Sequence, residues 1–404
     1  MKTCRGRDHR DWWPSPRQVG EITSVAGVRA LGADVTLSML EADPYPVFAS
    51  LQQHEPVAFV PSLDMWLVTH WDDVVFVCEH PELFRSNTDP SWLRDCLGEN
   101  MLTLDGAAHD RLADGMRPPF VSSTALPVVR EGLPALFDDL IDGFDGAGDV
   151  ELMTAYAEPL ANLTLAAALG WSVDWRDLAA WNRGVCTGIA NFENDPAKAA
   201  IAASANAELA NAIDAALARG ELAMFAGRGF TRDEIVSNIR LMVSGGINEP
   251  RDGVALVMWV LLTQPDVMVA VRADRAVLRK LIEETFRWVS PVGTATRQAV
   301  NDVELGGVHI PAGALVAGCL SAANRDPRRW TQPDVFSLER REGAHLAFAI
   351  GEHRCLGEWL GRQQVRLAVD RLLDRFANIE LTQPVELFGF EFRGPLALQV
   401  TLSK

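Results

Sequence analysis

The chain has 404 residues, of which 48% are hydrophobic and 23% charged, the usage of an ordinary globular protein, which excludes disorder, collagen and coiled coil. Its length leaves room for a large core in one to three domains. A formal net charge of -17 gives a surface field that repels phosphate and argues against a nucleic-acid partner.

Residues 1–35, with Trp12, Trp13, Pro14 and Pro16, lack periodicity and are expected to form an irregular arm. They carry Lys2, Arg5, Arg7 and Arg10 without the apolar run of a secretory signal. Residues 36–404 are expected to form one mainly helical domain with a small β-sheet. A helix around Tyr45 to Gln53 precedes two short β-like runs, Val57 to Val60 and Trp66 to Thr69, about a turn at Pro61 to Asp64. Helical spacing then dominates, with helices at Pro127 to Asp142, Leu152 to Leu169, Pro196 to Leu217 and Thr231 to Leu262. After Pro291 short runs punctuated by Gly and Pro return, and a last helix, Leu356 to Phe376, precedes a β-like tail ending at Thr401. The longest apolar stretch, Val254 to Leu262, falls short of the ~20 residues of a membrane span. Six scattered cysteines with no CxxC pair suit a reducing compartment, so a cytoplasmic protein without a membrane partner is expected.

The most informative segment is Phe348-Ala349-Ile350-Gly351-Glu352-His353-Arg354-Cys355-Leu356-Gly357. A lone cysteine among apolar residues is usually inert packing. Here Gly351 and Gly357 permit close backbone approach, and Cys355 stands where the amides of the next helix point, with His353 and Arg354 adding positive potential. Such a sulfur suits a nucleophile or a soft-metal ligand, and no second Cys or His lies at zinc-like spacing.

The pattern Phe-x-x-Gly-x-His-x-Cys-x-Gly resembles the cysteine loop of the cytochrome P450 family, the haem-thiolate monooxygenases. The resemblance implies the P450 fold, haem b as cofactor and the Cys355 thiolate as axial ligand of its iron, pushing electron density that favours O–O cleavage. Phe348, Gly351 and Gly357 then belong to the haem-binding loop. Glu284 and Arg287, three apart on one helix face, match the family's ExxR pair. Ala323 to Pro327, Pro333 to Phe336 and Arg340 match its meander, so the pair is expected to be buried and structural. Arg297 and His353 resemble contacts to the haem propionates, and His109 a third. Four residues past His109 the family's further arginine is replaced by Ala113, with Arg111 and Arg117 as nearby substitutes.

The helix Thr231 to Leu262 is similar to the one that crosses the family's distal haem face, with Gly245 and Gly246 at its middle. The usual acid and alcohol are replaced: Asn248 takes the acid's place and Glu249 the threonine's. Pro250 removes the amide that would bond the Gly246 carbonyl, which predicts a kink. Relief of crowding is the bland reading of these residues. The functional one makes Glu249, with Asn248 beside it, a catalytic acid/base that moves a proton between peroxide oxygens, so that hydrogen peroxide replaces dioxygen and two electrons.

Asn248-Glu249-Pro250 and Phe388 to Pro395 look similar to bacterial members that O-demethylate small methoxylated aromatics. Ile247, Val292, Phe388 and Phe390 are the expected walls of a pocket for a small hydrophobic or aromatic substrate, flanked by loops at Phe84 to Thr103 and Thr187 to Pro196. The implied electron donor is a ferredoxin or flavodoxin docking near Arg354, Arg362 and Arg366. Three alternatives stay open: hydroxylation of a terpenoid or polyketide intermediate, a haem sensor without turnover, and a plain reactive thiol at Cys355.

Overall fold

A computed structural model of the protein describes residues 30–404 except 147 and 226. The expected arm falls outside the described residues up to position 29. Its last part, Leu31–Asp34, is a 3-10 turn, tied down by the Gly32 amide donating to Glu55 Oε2 at 3.0 Å.

Helices dominate, and their axis is the helix Arg232–Thr263. Thr231 and Glu234 cap its start reciprocally, each side chain accepting the other's backbone amide. Between Ile235 and Leu261 apolar residues are buried on every face, including the run Val254 to Met258, as in a helix enclosed by neighbours. Those neighbours are the helices Glu158–Leu169, Trp175–Ile189 and Glu358–Arg375. The central helix continues through Pro250, so the missing amide does not end it. The helix expected at Pro127 to Asp142 is divided into Ser122–Pro127, a π turn at Val128–Gly132 and Leu133–Asp142. No single helix among the described residues is long and apolar enough to cross a membrane.

The larger sheet has five strands in the order Val57–Val60, Met65–Val68, Leu315–Cys319, Thr294–Ala299, Phe84–Arg85. The first two form the expected hairpin, with Asp64 in the turn at φ 51°. Met65–Val68 runs parallel to Leu315–Cys319, with Trp66 opposite Val316. Thr294–Ala299 then pairs antiparallel, with Thr294 opposite Cys319 and Arg297 opposite Val316. This strand carries residues of the cavity described below. A three-stranded sheet joins Asp149–Glu151, Gln399–Ser403 and Asn378–Leu381.

The helix Leu278–Trp288 bears a buried ion pair. Glu284 and Arg287 are 5% and 1% exposed. Arg287 donates from Nε and Nη2 to the two Glu284 carboxylate oxygens, both at 2.8 Å, in a bidentate fork. Arg340 brings a second guanidinium to the same carboxylate, its Nε at 2.9 and 3.0 Å from the two oxygens. The remaining N–H groups of the two arginines reach carbonyls of Asn324, Thr331, Pro333 and Val335, which wraps the meander around the pair. Removing Arg287 leaves Glu284 paired with Arg340 and strips the Asn324 and Pro333 carbonyls of their donor, and buried polar groups left unsatisfied cost about 1–3 kcal/mol each. Arg287→Ala is therefore expected to lower the urea midpoint sharply and reduce folded yield; a variant unfolding at the wild-type midpoint would contradict this account.

Candidate active site

A cavity of about 380 Å³ lies between the central helix and the cysteine loop. The loop is set by its backbone. The Cys355 amide donates to the Phe348 carbonyl at 3.0 Å, and the Arg354 amide to the Gly351 carbonyl at 3.2 Å. Gly351 has φ +78°, and a Cβ there would stand 2.5 Å from the Cys78 carbonyl oxygen, so the close approach requires glycine. Gly351 thus shapes the loop without lining the cavity, whereas Phe348, Cys355 and Gly357 all line it. Cys355 counts as exposed although protein surrounds it; its free surface faces this internal cavity.

One edge of the cavity gathers an arginine and two imidazoles. Arg297 is 4% exposed, lines the cavity and has no acidic partner among the described residues; its Nη1 donates to the Thr296 carbonyl at 2.9 Å. His109 and His353 line the same cavity with ring centroids 4.6 Å apart. His353 Nε2 is 3.2 Å from Asp105 Oδ1, and His109 Nδ1 is 3.1 Å from Asp110 Oδ1. Burial works against the Asp105 carboxylate, but hydrogen bonds from His353 and from the Asn87 and Ser86 amides outweigh it and hold its pKa at about 2. Burial also lowers the His353 pKa, with Arg297 and His109 adding to the effect against Asp105. Neither expected substitute for the arginine missing at Ala113 reaches this edge. Arg111 is turned outward to Glu234, and Arg117 to Asp114 at 3.4 Å.

The central helix contributes Gly245, Gly246, Glu249 and Pro250 to the opposite wall. A Cβ on Gly245 would be 3.9 Å from Glu249 Oε2, so the carboxyl folds back over the glycine one turn earlier. Glu249 Oε2 is buried and has no hydrogen-bond partner among the described residues. Burial pushes the Glu249 pKa up to about 8, with Asp252 and Glu391 adding to it against the residue's own amide and Arg251. Asn248 departs from expectation. One residue earlier, it is rotated about 100° around the helix and does not line the cavity. Its Oδ1 accepts from Arg251 Nη2 at 2.8 Å, beside the Arg251–Asp252 pair, also at 2.8 Å. Ile247, fully buried, belongs to the core for the same reason.

Of the four expected pocket walls only Val292 lines the cavity. Phe388 is 40% exposed, and Phe390 packs on Phe192 with ring centroids 6.0 Å apart. The turn inverts at Gly389, whose φ is +107°, and presents Glu391 and Phe392 to the cavity instead. Glu391 was not anticipated; a single acid between two phenylalanines was its one sequence signal. Trp92, from the first expected substrate loop, also lines the cavity.

A family model described as cytochrome P450 matches residues 228–389. The cytochrome P450 monooxygenase PikC of Streptomyces venezuelae is 32% identical, over 93% of this chain and 94% of its own. The chain belongs to the cytochrome P450 family. This P450 is also 27% identical to 6-deoxyerythronolide B hydroxylase of Saccharopolyspora erythraea, over 86% of this chain and 92% of that one. Among solved structures, that of CalO2 superposes with a TM-score of 0.83 at 28% identity, covering 91% of this chain and 99% of the other.

Members of the family bind haem b through a cysteine thiolate, and the residues of this P450 fit that group. A buried guanidinium without an anion and two imidazoles suit the carboxylates of a propionate edge, and a sulfur faces the same cavity. Burial pushes the Cys355 thiol up to about 11, and the Gly357 amide and Arg362 offset this in part. A coordinated cation deprotonates such a thiol.

The raised Glu249 pKa has a sign that can be tested. The folded chain keeps a proton that the unfolded chain, at an ordinary 4.5, releases, so stability falls as pH rises from about 4.5 towards about 8. Glu249→Gln removes that penalty. Its melting temperature relative to wild type is expected to rise between pH 5 and pH 9, by the equivalent of about 1–3 kcal/mol. A pH-independent difference between the two proteins rules the assignment out.

Proposed function

We propose that this P450 inserts one oxygen atom into a small organic substrate, with Cys355 as the iron ligand and Arg297, His109 and His353 holding the propionates. Haem b, when bound, supplies the oxidising centre for that chemistry. The observation that carries the reading is the meeting of a cysteine sulfur, a buried anion-free arginine and a protonated carboxyl in one enclosed cavity. Glu249 is the acid: near neutral pH it holds a proton at a carboxyl that lines the cavity, where it can be passed to an oxidant oxygen and taken back. That property supports hydrogen peroxide as an oxidant beside dioxygen with a ferredoxin or flavodoxin donor. Asn248 is a positioning residue in this scheme, since it fixes Arg251 and not the oxidant.

For the donor, Arg354 is an exposed member of the expected basic patch, 60% exposed and paired with Glu358 at 2.9 Å. Arg362 is committed to Glu283 at 2.6 Å and lies over the Phe348 ring. The five described cysteines are unpaired, which suits a reducing, cytoplasmic setting. Either hydroxylation or O-demethylation, including that of a methoxylated aromatic, fits an apolar cavity walled by Trp92, Val292 and Phe392. A second reading, hydroxylation of a natural-product intermediate, is favoured by the relative named 6-deoxyerythronolide B hydroxylase.

Two measurements test these roles. The reduced carbonyl complex of wild type is expected to show the red-shifted Soret band of thiolate ligation, and Cys355→His to lose it; a band unchanged by the substitution removes Cys355 from the iron. Glu249→Gln is expected to cut peroxide-driven turnover at least about 10-fold with that band intact, within the usual range for a lost acid/base. Unchanged turnover excludes Glu249 as the acid.

A further inference from the structure

The cavity contains a second carboxyl that the oxygen chemistry does not use. Glu391 lies in the C-terminal turn and faces the cavity. Among the described residues its carboxyl has one hydrogen-bond partner, Thr294, whose Oγ1 donates to Oε2 at 2.6 Å. No basic side chain pairs with it there. Arg393, two residues on, spends its guanidinium on the carbonyls of Glu41, Gly389 and Ala42. Arg251 is occupied by Asp252 and Asn248.

The turn is also fastened by its backbone. The Gly293 amide donates to the Glu391 carbonyl at 2.9 Å, and Val292 bridges to Phe392. A Cβ on Gly293 would collide with the Phe390 carbonyl, so backbone contacts hold the turn close beside the Thr294–Glu391 hydrogen bond. An acid placed in an apolar wall with a single hydroxyl partner is costly to bury. Burial, opposed by Thr294 alone, lifts its pKa to about 7. The ionised form thus lacks a counter-charge.

The other polar groups of this part of the cavity do not supply one. Glu249 and Thr164, a residue 1% exposed, line the same space, and Glu249 Oε2 and the Thr164 hydroxyl have no hydrogen-bond partner among the described residues. Arg297, His109 and His353 belong to the propionate edge. An ionised Glu391 therefore faces the cavity's occupant without a counter-charge from the described residues.

We propose that Glu391, held by Thr294, anchors the ammonium group of a lipophilic amine substrate whose apolar body fills the space between Trp92, Leu241, Val292 and Phe392. The anchor rests on the oxygen-inserting reading of the same cavity and adds a substrate class to it. A protonated nitrogen completes the charge pair that the protein leaves open, and a carboxylate of the same shape is repelled.

The test is spectral titration of the haem-loaded protein with three matched ligands: N,N-dimethyl-4-phenylbutylamine, its analogue with CH in place of nitrogen, and 5-phenylpentanoate. The tertiary nitrogen is too hindered to bind iron, so the readout is the low-spin to high-spin Soret shift. The amine is expected to bind at least about 10-fold more tightly than the neutral analogue, and the carboxylate to give no shift. In Glu391→Gln the amine's advantage is expected to shrink to about 2-fold or less, with the carbonyl-complex band unchanged. Thr294→Val, which leaves the carboxyl in place, is expected to weaken the amine by about 3-fold. Equal binding of amine and neutral analogue by wild type, or an advantage that survives Glu391→Gln, overturns the anchor. A wild-type protein without the thiolate band would instead overturn the haem site, so the two failures are distinct.

Discussion

The carboxylate of Glu284, shared by two guanidiniums in a site closed to solvent, is the constraint from which the rest of the site is hung. From it hydrogen bonds joined by short stretches of backbone lead to the Cys355 amide. Arg287 donates to the Asn324 carbonyl at 2.9 Å, and Asn324 Oδ1 accepts the Leu346 amide at 2.7 Å. Leu346 then accepts the Ala349 amide at 2.8 Å, one residue past Phe348, whose own carbonyl receives the Cys355 amide. Every link is a backbone group or a buried side chain, where the low local dielectric strengthens properly paired contacts and punishes broken ones. The height of Cys355 in its cavity is thus fixed by a charge cluster that never touches it.

The cavity is electrically divided. Arg297 and two imidazoles gather on one edge, and Glu249 and Glu391 line the same cavity with raised pKa values because burial disfavours their ionised forms. An overall charge of -17 reveals nothing of this separation, which arises from which face of each element looks inward. Chemistry that needs an anion held at one end and a proton held at the other is compatible with that division, and it costs the fold two uncompensated carboxyls.

The cysteine loop, the Glu284–Arg287 pair and the meander were legible in the sequence because each depends on chemically distinctive residues at fixed short spacing. Residues whose role depends on rotation about an element were not. Asn248 and Ile247 neighbour Glu249 in the chain yet lie around the helix from it, so an alignment by glycines placed them in the cavity and the helical phase took them out. Phe388 and Phe390 were read as walls from their chemistry, but the backbone at Gly389 reverses the side they face. Arg111 and Arg117 were near enough in sequence to replace the missing arginine, and surface acids claim both.

The C-terminal turn leaves little freedom to its own backbone. At Gly389 a side chain would strike the Phe392 carbonyl, at Gly293 that of Phe390, and a Cβ at Gly394 would lie 2.5 Å from Asp252 Cγ on the central helix. A laboratory effort to retarget this enzyme by lengthening or reshaping that segment would therefore meet steric walls on three sides. Mutant libraries confined to the side chains at positions 391 and 392 would explore new ligand preferences while the scaffold around them stays put.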